Sequence, residues 1–299
     1  MQSIRSVSPS PAFAGLRRGF LAAAAILALR ASASNITLTQ ALLDDTNGFV
    51  NFAKPTLGSG ANAIPNTVQP GDTVYIAAHT RPLLTLVNLQ GTAALPITVT
   101  NTGGQLIIDY VDPKPTNIGL RLWGAQHVRL RGTAGSGYDY GIQVRRSGVK
   151  IEDNNYQQGL VGGTFRNTED LEISEIEVDS APFAGIQAKY EKTNAQIPAG
   201  YTALLDGFRI HNCYIHDTGG EGFYIGWTSE GHPDVANVQM YDNLMINTGW
   251  DAIQLNRSLG TNDIHGNVIV GYGTKSYTYG DGTFYYFQAS AFSIGKVKA

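Results

Sequence analysis

A short alternating segment recurs six times in this 299-residue chain and constrains its fold more than any other feature. The copies are residues 119–123 (GLRLW), 141–145 (GIQVR), 185–189 (GIQAK), 222–226 (GFYIG), 252–256 (AIQLN) and 291–295 (AFSIG). The stretches 173–185, 210–222 and 240–252, which lead into three of them, align without gaps. Neighbouring side chains of a strand point to opposite faces. Two columns, Leu120, Ile142, Ile186, Phe223, Ile253, Phe292 and Leu122, Val144, Ala188, Ile225, Leu255, Ile294, are apolar and must point inward. The column between them, Arg121, Gln143, Gln187, Tyr224, Gln254, Ser293, is polar and points outward. The copies start 22, 44, 37, 30 and 39 residues apart. A constant strand with joins of variable length predicts parallel rungs of a solenoid, with loops inserted at its corners. An antiparallel sandwich would need hairpin turns about every 8–12 residues, and these joins are too long and uneven for that.

Composition agrees. Only 15% of residues are charged and 35 are glycine, which suits a repetitive all-β chain better than a helical bundle with charged solvent faces. A net charge of -3 argues against a general nucleic-acid binder, which would show a basic excess. The single cysteine, Cys213, excludes a disulfide framework, a cysteine-rich zinc site and a CxxC redox pair. Cys213 falls in one column with Asn243 and Asn267, where inward asparagines can hydrogen-bond buried backbone. It reads as a small buried side chain.

Residues 1–33 read as an export leader. Arg5, Arg17 and Arg18 form a positive segment, residues 20–29 (FLAAAAILAL) a short apolar one, and Ala31-Ser32-Ala33 a cleavage signal. Arg17-Arg18 suits twin-arginine export, and Leu16 before it suits an ordinary secretory signal equally. No later segment can span a membrane, so the expected product is secreted, periplasmic or held at the cell surface, and monomeric.

The residues 70–76 (PGDTVYI), 91–93 (GTA), 96–99 (PITV), 215–222 (IHDTGGEG) and 247–250 (NTGW) make the chain resemble exported right-handed parallel β-helix repeat proteins of the pectin-lyase-like class. The resemblance covers about residues 36–299. It implies a single-stranded right-handed parallel β-helix over 67–299, behind an N-terminal cap over 34–66 that contains a helix near 39–45. The chain ends at residues 296–299 directly after a strand, so the solenoid is expected to continue further. The class also implies a substrate groove along the outer face of one sheet. The resemblance is specific for fold and not for activity, because the class includes lyases, hydrolases, epimerases and adhesins.

The register then places the candidate chemistry. Glu221 and Asp251 fall at one position on consecutive coils, ~4.8 Å apart at the backbone. Two carboxylates that close require a cation such as Ca²⁺ between them, or a raised pKa on one. Turn capping is the bland alternative for both. The catalytic candidates are Glu221, Asp251, Lys189, His216 and Arg257, with Glu221 and Asp251 also as metal ligands. Arg121, Trp123, Arg145, Tyr224, Trp227 and Gln254 are expected to bind an anionic sugar chain, since guanidinium groups pair with carboxylates and aromatic faces stack on pyranose rings. A solvated outer face is the competing explanation. His211, His216 and His265 fall in different columns, against a compact histidine site. The aromatic insertion 271–287 and the insertion 191–204 flank the pair. The polygalacturonase signature is missing, since Gly249 stands where it needs Asp and Trp250-Asp251 where it needs an Asp pair, and the pectate-lyase Trp-Ile-Asp-His block is absent too. Three functions stay open: cleavage of an acidic polysaccharide, by β-elimination or by hydrolysis with Glu221 and Asp251; a non-catalytic carbohydrate-binding module; and an adhesin-like stalk.

Overall fold

The computed structural model describes residues 33–110, 118–154, 164–275, 277–278, 284–285 and 289–295. Residues 1–32, expected from sequence to be an export leader, residues 296–299 and about half of the 271–287 insertion lie outside the described residues. Residues 35–299 form a unit of their own.

Three sheets of stacked parallel strands carry the unit. Sheet A runs from Asn35–Leu38 through Thr73–Ala77, Ile97–Thr102, Gln126–Arg131 and Glu169–Ser174 to Ser258–Leu259, with Arg209–His211, Gln239–Tyr241 and Asp263–His265 as a branch. Sheet B stacks Phe49–Asn51, Leu84–Val87, Ile118–Trp123, Gly148–Glu152, Ile186–Ala188, Phe223–Ile225, Ile253–Asn256 and Phe292–Gly295. Sheet C stacks Thr80–Arg81, Leu106–Asp109, Ile142–Arg145, Ile176–Asp179, Tyr214–His216, Leu244–Ile246 and Val268–Val270. From Ile97 onward the chain visits A, C and B in turn and then climbs one rung. Strands this short cannot bury a face alone; stacking identical faces gives one continuous core.

The register holds for five of the six repeated segments. Phe223 pairs with Ile186 and Ile253, and Ile253 with Phe292. Residues 141–145 are the exception. Ile142–Arg145 pairs with Leu106–Asp109 and Ile176–Asp179, which puts it in sheet C. Its place in sheet B belongs to Gly148–Glu152, where Lys150 stands above Arg121 and Glu152 above Trp123. Both segments begin with glycine and alternate, and both sheets bury the same face, so hydrophobicity alone cannot separate them. Spacing can: starts at 119, 148, 185, 222, 252 and 291 give intervals of 29, 37, 37, 30 and 39, without the irregular 22 and 44.

Leu120, Val149, Ile186, Phe223 and Ile253, and Leu122, Ile151, Ala188, Ile225 and Leu255, are buried to 1% exposure or less. Each large member stabilises the stack by roughly 1.5–3 kcal/mol relative to exposure. Phe292 and Ile294 hold the same columns yet are 43% and 57% exposed, because no described strand stacks on their far side. Gly226 is needed where it stands: its φ is +73°, and a Cβ there would lie 1.9 Å from the Asn256 carbonyl oxygen on the next rung.

The asparagine column forms as the sequence predicts. Asn243 accepts from the Cys213 N–H (3.0 Å) and donates to Ile210 O (3.1 Å) and Asn267 Oδ1 (2.9 Å). Asn267 in turn donates to Met240 O (2.8 Å). Burial pushes the Cys213 thiol up to about 12, which leaves it an inert packing group. At the other end the helix Gln40–Asp45 is capped by Thr39, whose hydroxyl accepts from the Leu42 N–H (3.2 Å), and it buries Leu42 and Leu43.

Candidate functional site

Sheet B's outer face carries the densest chemistry. Its middle column reads Arg121, Lys150, Gln187, Tyr224, Gln254, Ser293. The last position of each strand, or the residue just after it, adds Trp123, Glu152, Lys189, Gly226, Asn256 and Gly295. Glu221 and Asp251 precede their strands on consecutive rungs, and the Gly222 N–H donates to Asp251 O (3.1 Å).

Lys189 sits between two aromatic rings, its Nζ 3.8 Å from the Tyr224 centroid and 3.9 Å from that of Trp227. The Trp227 indole N–H is held by the Tyr190 carbonyl, and Tyr190 is fully buried with its hydroxyl donating to Leu204 O (2.9 Å). Phe183 closes the wall edge-on between Tyr224 (5.9 Å) and Trp250 (5.6 Å). Burial, reinforced by the nearby Lys150 charge, lowers the Lys189 amine to about 7.

Glu221 is 2% exposed and its Oε2 is buried without a partner. Burial raises this carboxyl to about 7; its own backbone N–H and Lys189 pull the other way, while Asp251 adds to the rise. Asp251 differs, because its Oδ1 accepts the Ser290 N–H (2.8 Å) and so partly caps the next turn. Capping and charge coupling thus coexist at this pair. The cluster therefore offers an amine and a carboxyl that both exchange protons near neutrality, screened from water by aromatic rings.

A second buried set adjoins it. Lys150 forms an ion pair with Glu191, and the Glu191 N–H donates to Glu152 Oε1 (2.6 Å). Burial pushes Glu152 up to about 8 against the pull of Lys150. Lys150, Glu152 and Glu191 were not among the sequence candidates. The misplaced segment 141–145 hid the first two, and the even spacing that begins at 148 would have found them.

Other candidates lie elsewhere. Arg145 stands opposite Asp179 on sheet C and is not part of the cation row on sheet B. His216 is also on sheet C, its Nδ1 2.8 Å from Asp217 Oδ2 and its Nε2 3.1 Å from Glu177 Oε1. These partners, Glu177 above all, raise it to about 9, so it is a protonated imidazolium at neutral pH. Asp179, His216 and Asp217 bring ligand atoms within 4.8 Å of one another, but the cation among those carboxylates is His216 itself. Arg257 lies in the bend from sheet B to sheet A, with Nε and Nη2 on Asp234 Oδ1 (2.9 and 2.8 Å). Trp123 packs edge-on against Phe49 at 6.5 Å, several rungs from Glu221. His211 and His265 share one column of sheet A after all, stacked on either side of Tyr241 at 4.6 and 5.2 Å. A bridging metal is still excluded there because the tyrosine ring separates them.

The family described as the right handed beta helix region matches residues 97–292. Searches of curated proteins and of solved structures returned no match.

Proposed function

We propose, from the premise that the chain belongs to the right-handed β-helix family, that it is an exported carbohydrate-active protein that binds an acidic polysaccharide along the outer face of sheet B and cleaves it by β-elimination. The observation that carries this reading is the aromatic-walled pair of Lys189 and Glu221, both titrating near 7. β-Elimination on a uronate needs a base for the C5 proton and an acid for the departing O4 oxygen, each matched to the working pH. The neutral Lys189 amine takes the C5 proton, the C4–O4 bond breaks as the C4–C5 double bond forms, and protonated Glu221 supplies the proton to O4. Proton transfer from Lys189 back to Glu221 restores both groups. Arg121 places a cationic group on the same outer face, suited to an anionic chain. In the metal-dependent alternative, ionised Glu221 and Asp251 would hold Ca²⁺, and Glu221 would then not serve as the proton donor.

The test is a panel of pectate, alginate and chondroitin followed by ultraviolet absorbance of the unsaturated product, with and without EDTA. A reducing-sugar assay runs in parallel to detect hydrolysis. Lys189→Met and Glu221→Gln are each expected to lower the rate at least 100-fold. Loss of activity with EDTA would assign Ca²⁺ a role. Product without a new double bond would overturn elimination in favour of hydrolysis by Glu221 and Asp251.

One observation favours a second reading, a non-catalytic binding module. Lys189 is 5% exposed, Glu221 2% and Asp251 3%, so a sugar reaches them only if Trp227 or Trp250 swings aside. Binding of the same polysaccharides without cleavage by any panel member would select this reading.

A further inference from the structure

A cleft of about 380 Å³ opens at the corner where the chain passes from sheet B to sheet A. It is formed by the 191–204 insertion, by residues 232–234 one rung on, and by Leu259 at the end of the Ser258–Leu259 strand. Ile197, Pro233 and Leu259 give it an apolar wall, while Tyr201, His232 and Asp234 contribute rings and polar groups.

The cleft is held open by its own framework. Thr193 and Gln196 form a reciprocal capping box around the turn Asn194–Gln196. The Asn194 N–H donates to Gly231 O (2.7 Å), tying the two loops together. Tyr201 is 48% exposed but its ring is braced by Phe165 at 5.0 Å. His232 stacks on Trp227 at 4.2 Å and 21°. A site built this way loses little entropy when it is filled.

Its charge restricts what it takes. The Asp234 carboxylate is paired with Arg257, so the two contribute no net charge to the wall. An uncharged guest with one apolar face and hydroxyls at its edge matches an apolar wall, a braced tyrosine and a few polar groups. We propose that this corner cleft is a second ligand site, for a neutral hexopyranose or a ring-shaped polyol of similar size. It is separate from the acidic-chain face of sheet B and does not depend on that face being catalytic.

The stack from His232 through Trp227 to Lys189 supplies a readout. Neutral methyl glycosides of glucose, galactose and N-acetylglucosamine are titrated against the full chain, following tryptophan fluorescence and saturation-transfer NMR. Galacturonate and glucosamine serve as anionic and cationic comparisons, and indole as a purely apolar one. The expected result is saturable binding of at least one neutral glycoside, with a fluorescence change that disappears in Trp227→Phe while the NMR signal stays. Tyr201→Ala, at an exposed ring, is expected to weaken binding about tenfold. Leu259→Trp, which fills the cleft from its wall, should abolish it, and Lys189→Met should leave it intact. Binding of indole or of the charged sugars alone would overturn the proposal, as would neutral-glycoside binding indifferent to both Tyr201→Ala and Leu259→Trp. Failure here leaves the sheet B reading standing, because that reading is judged on polysaccharide cleavage.

Discussion

Glu221 shows how one buried side chain sets a pH dependence. Its folded pKa of about 7 lies above the ordinary 4.5, so the folded state holds a proton that the unfolded state releases between those values. Stability is therefore lost as pH rises from about 4.5 to 7, by an amount on the order of 3 kcal/mol from this group. Glu221→Gln removes that loss, so the variant gains on the wild type between pH 4 and 8 in denaturant titrations; two parallel curves would refute the assignment. His216 has the same sign of shift for the opposite reason. Its pKa is raised by carboxylate partners, so its contribution is complete below the usual 6.5 and disappears as pH climbs through 9. His216→Asn should lower the melting temperature at pH 6 and converge with the wild type near pH 10. Lys189 adds a kinetic signature. Elimination by a neutral amine and a protonated carboxyl, coupled to each other, predicts a bell-shaped rate profile centred near neutrality. A rate that keeps rising to pH 10 would remove Glu221 as the acid.

Among the elements, the asparagine column and the sheet B strands differ in how they answer to change. Asn243 satisfies the Cys213 N–H and the Ile210 carbonyl at once. Asn243→Leu strands both in an apolar corner, at about 1–3 kcal/mol for each buried group left unpaired, measurable by chemical denaturation. Asn267, one rung on, is less buried and should cost less. This column could be read from sequence because Asn243 and Asn267 fall at equivalent places in the repeat, in the bend between two strands. The assignment of 141–145 to sheet B failed on the same kind of evidence. Ile142 and Val144 point inward in either sheet, and alternation reports which face is buried but not which sheet carries the strand. Only backbone pairing, Ile142 with Leu106 and Ile176, decides it.

At the scale of the molecule, the stack behaves as neighbouring rungs that each lean on two others. Phe223 and Phe292 share one column, with exposures of 0% and 43%. Phe223→Ala should cost about 3–5 kcal/mol as a cavity in a closed core. The same change at Phe292 should cost less than half of that, and comparing the two by denaturation checks that stability adds rung by rung. Equal costs would mean that the last described rung is covered as fully as the middle ones.

The repeated strand and its apolar columns are local patterns, repeated often enough that the solenoid, its inward faces and the consecutive placement of Glu221 and Asp251 follow from sequence alone. The partners of each side chain depend on loops that return from far along the chain. Tyr224 from the next rung and Trp227 from the turn beyond it close over Lys189 and turn it from a solvated cation into a caged amine. His216 and Arg257 are drawn to carboxylates on other faces. Burial and pairing are properties of three-dimensional neighbourhoods, and strand alternation carries no record of which loop will cover which face.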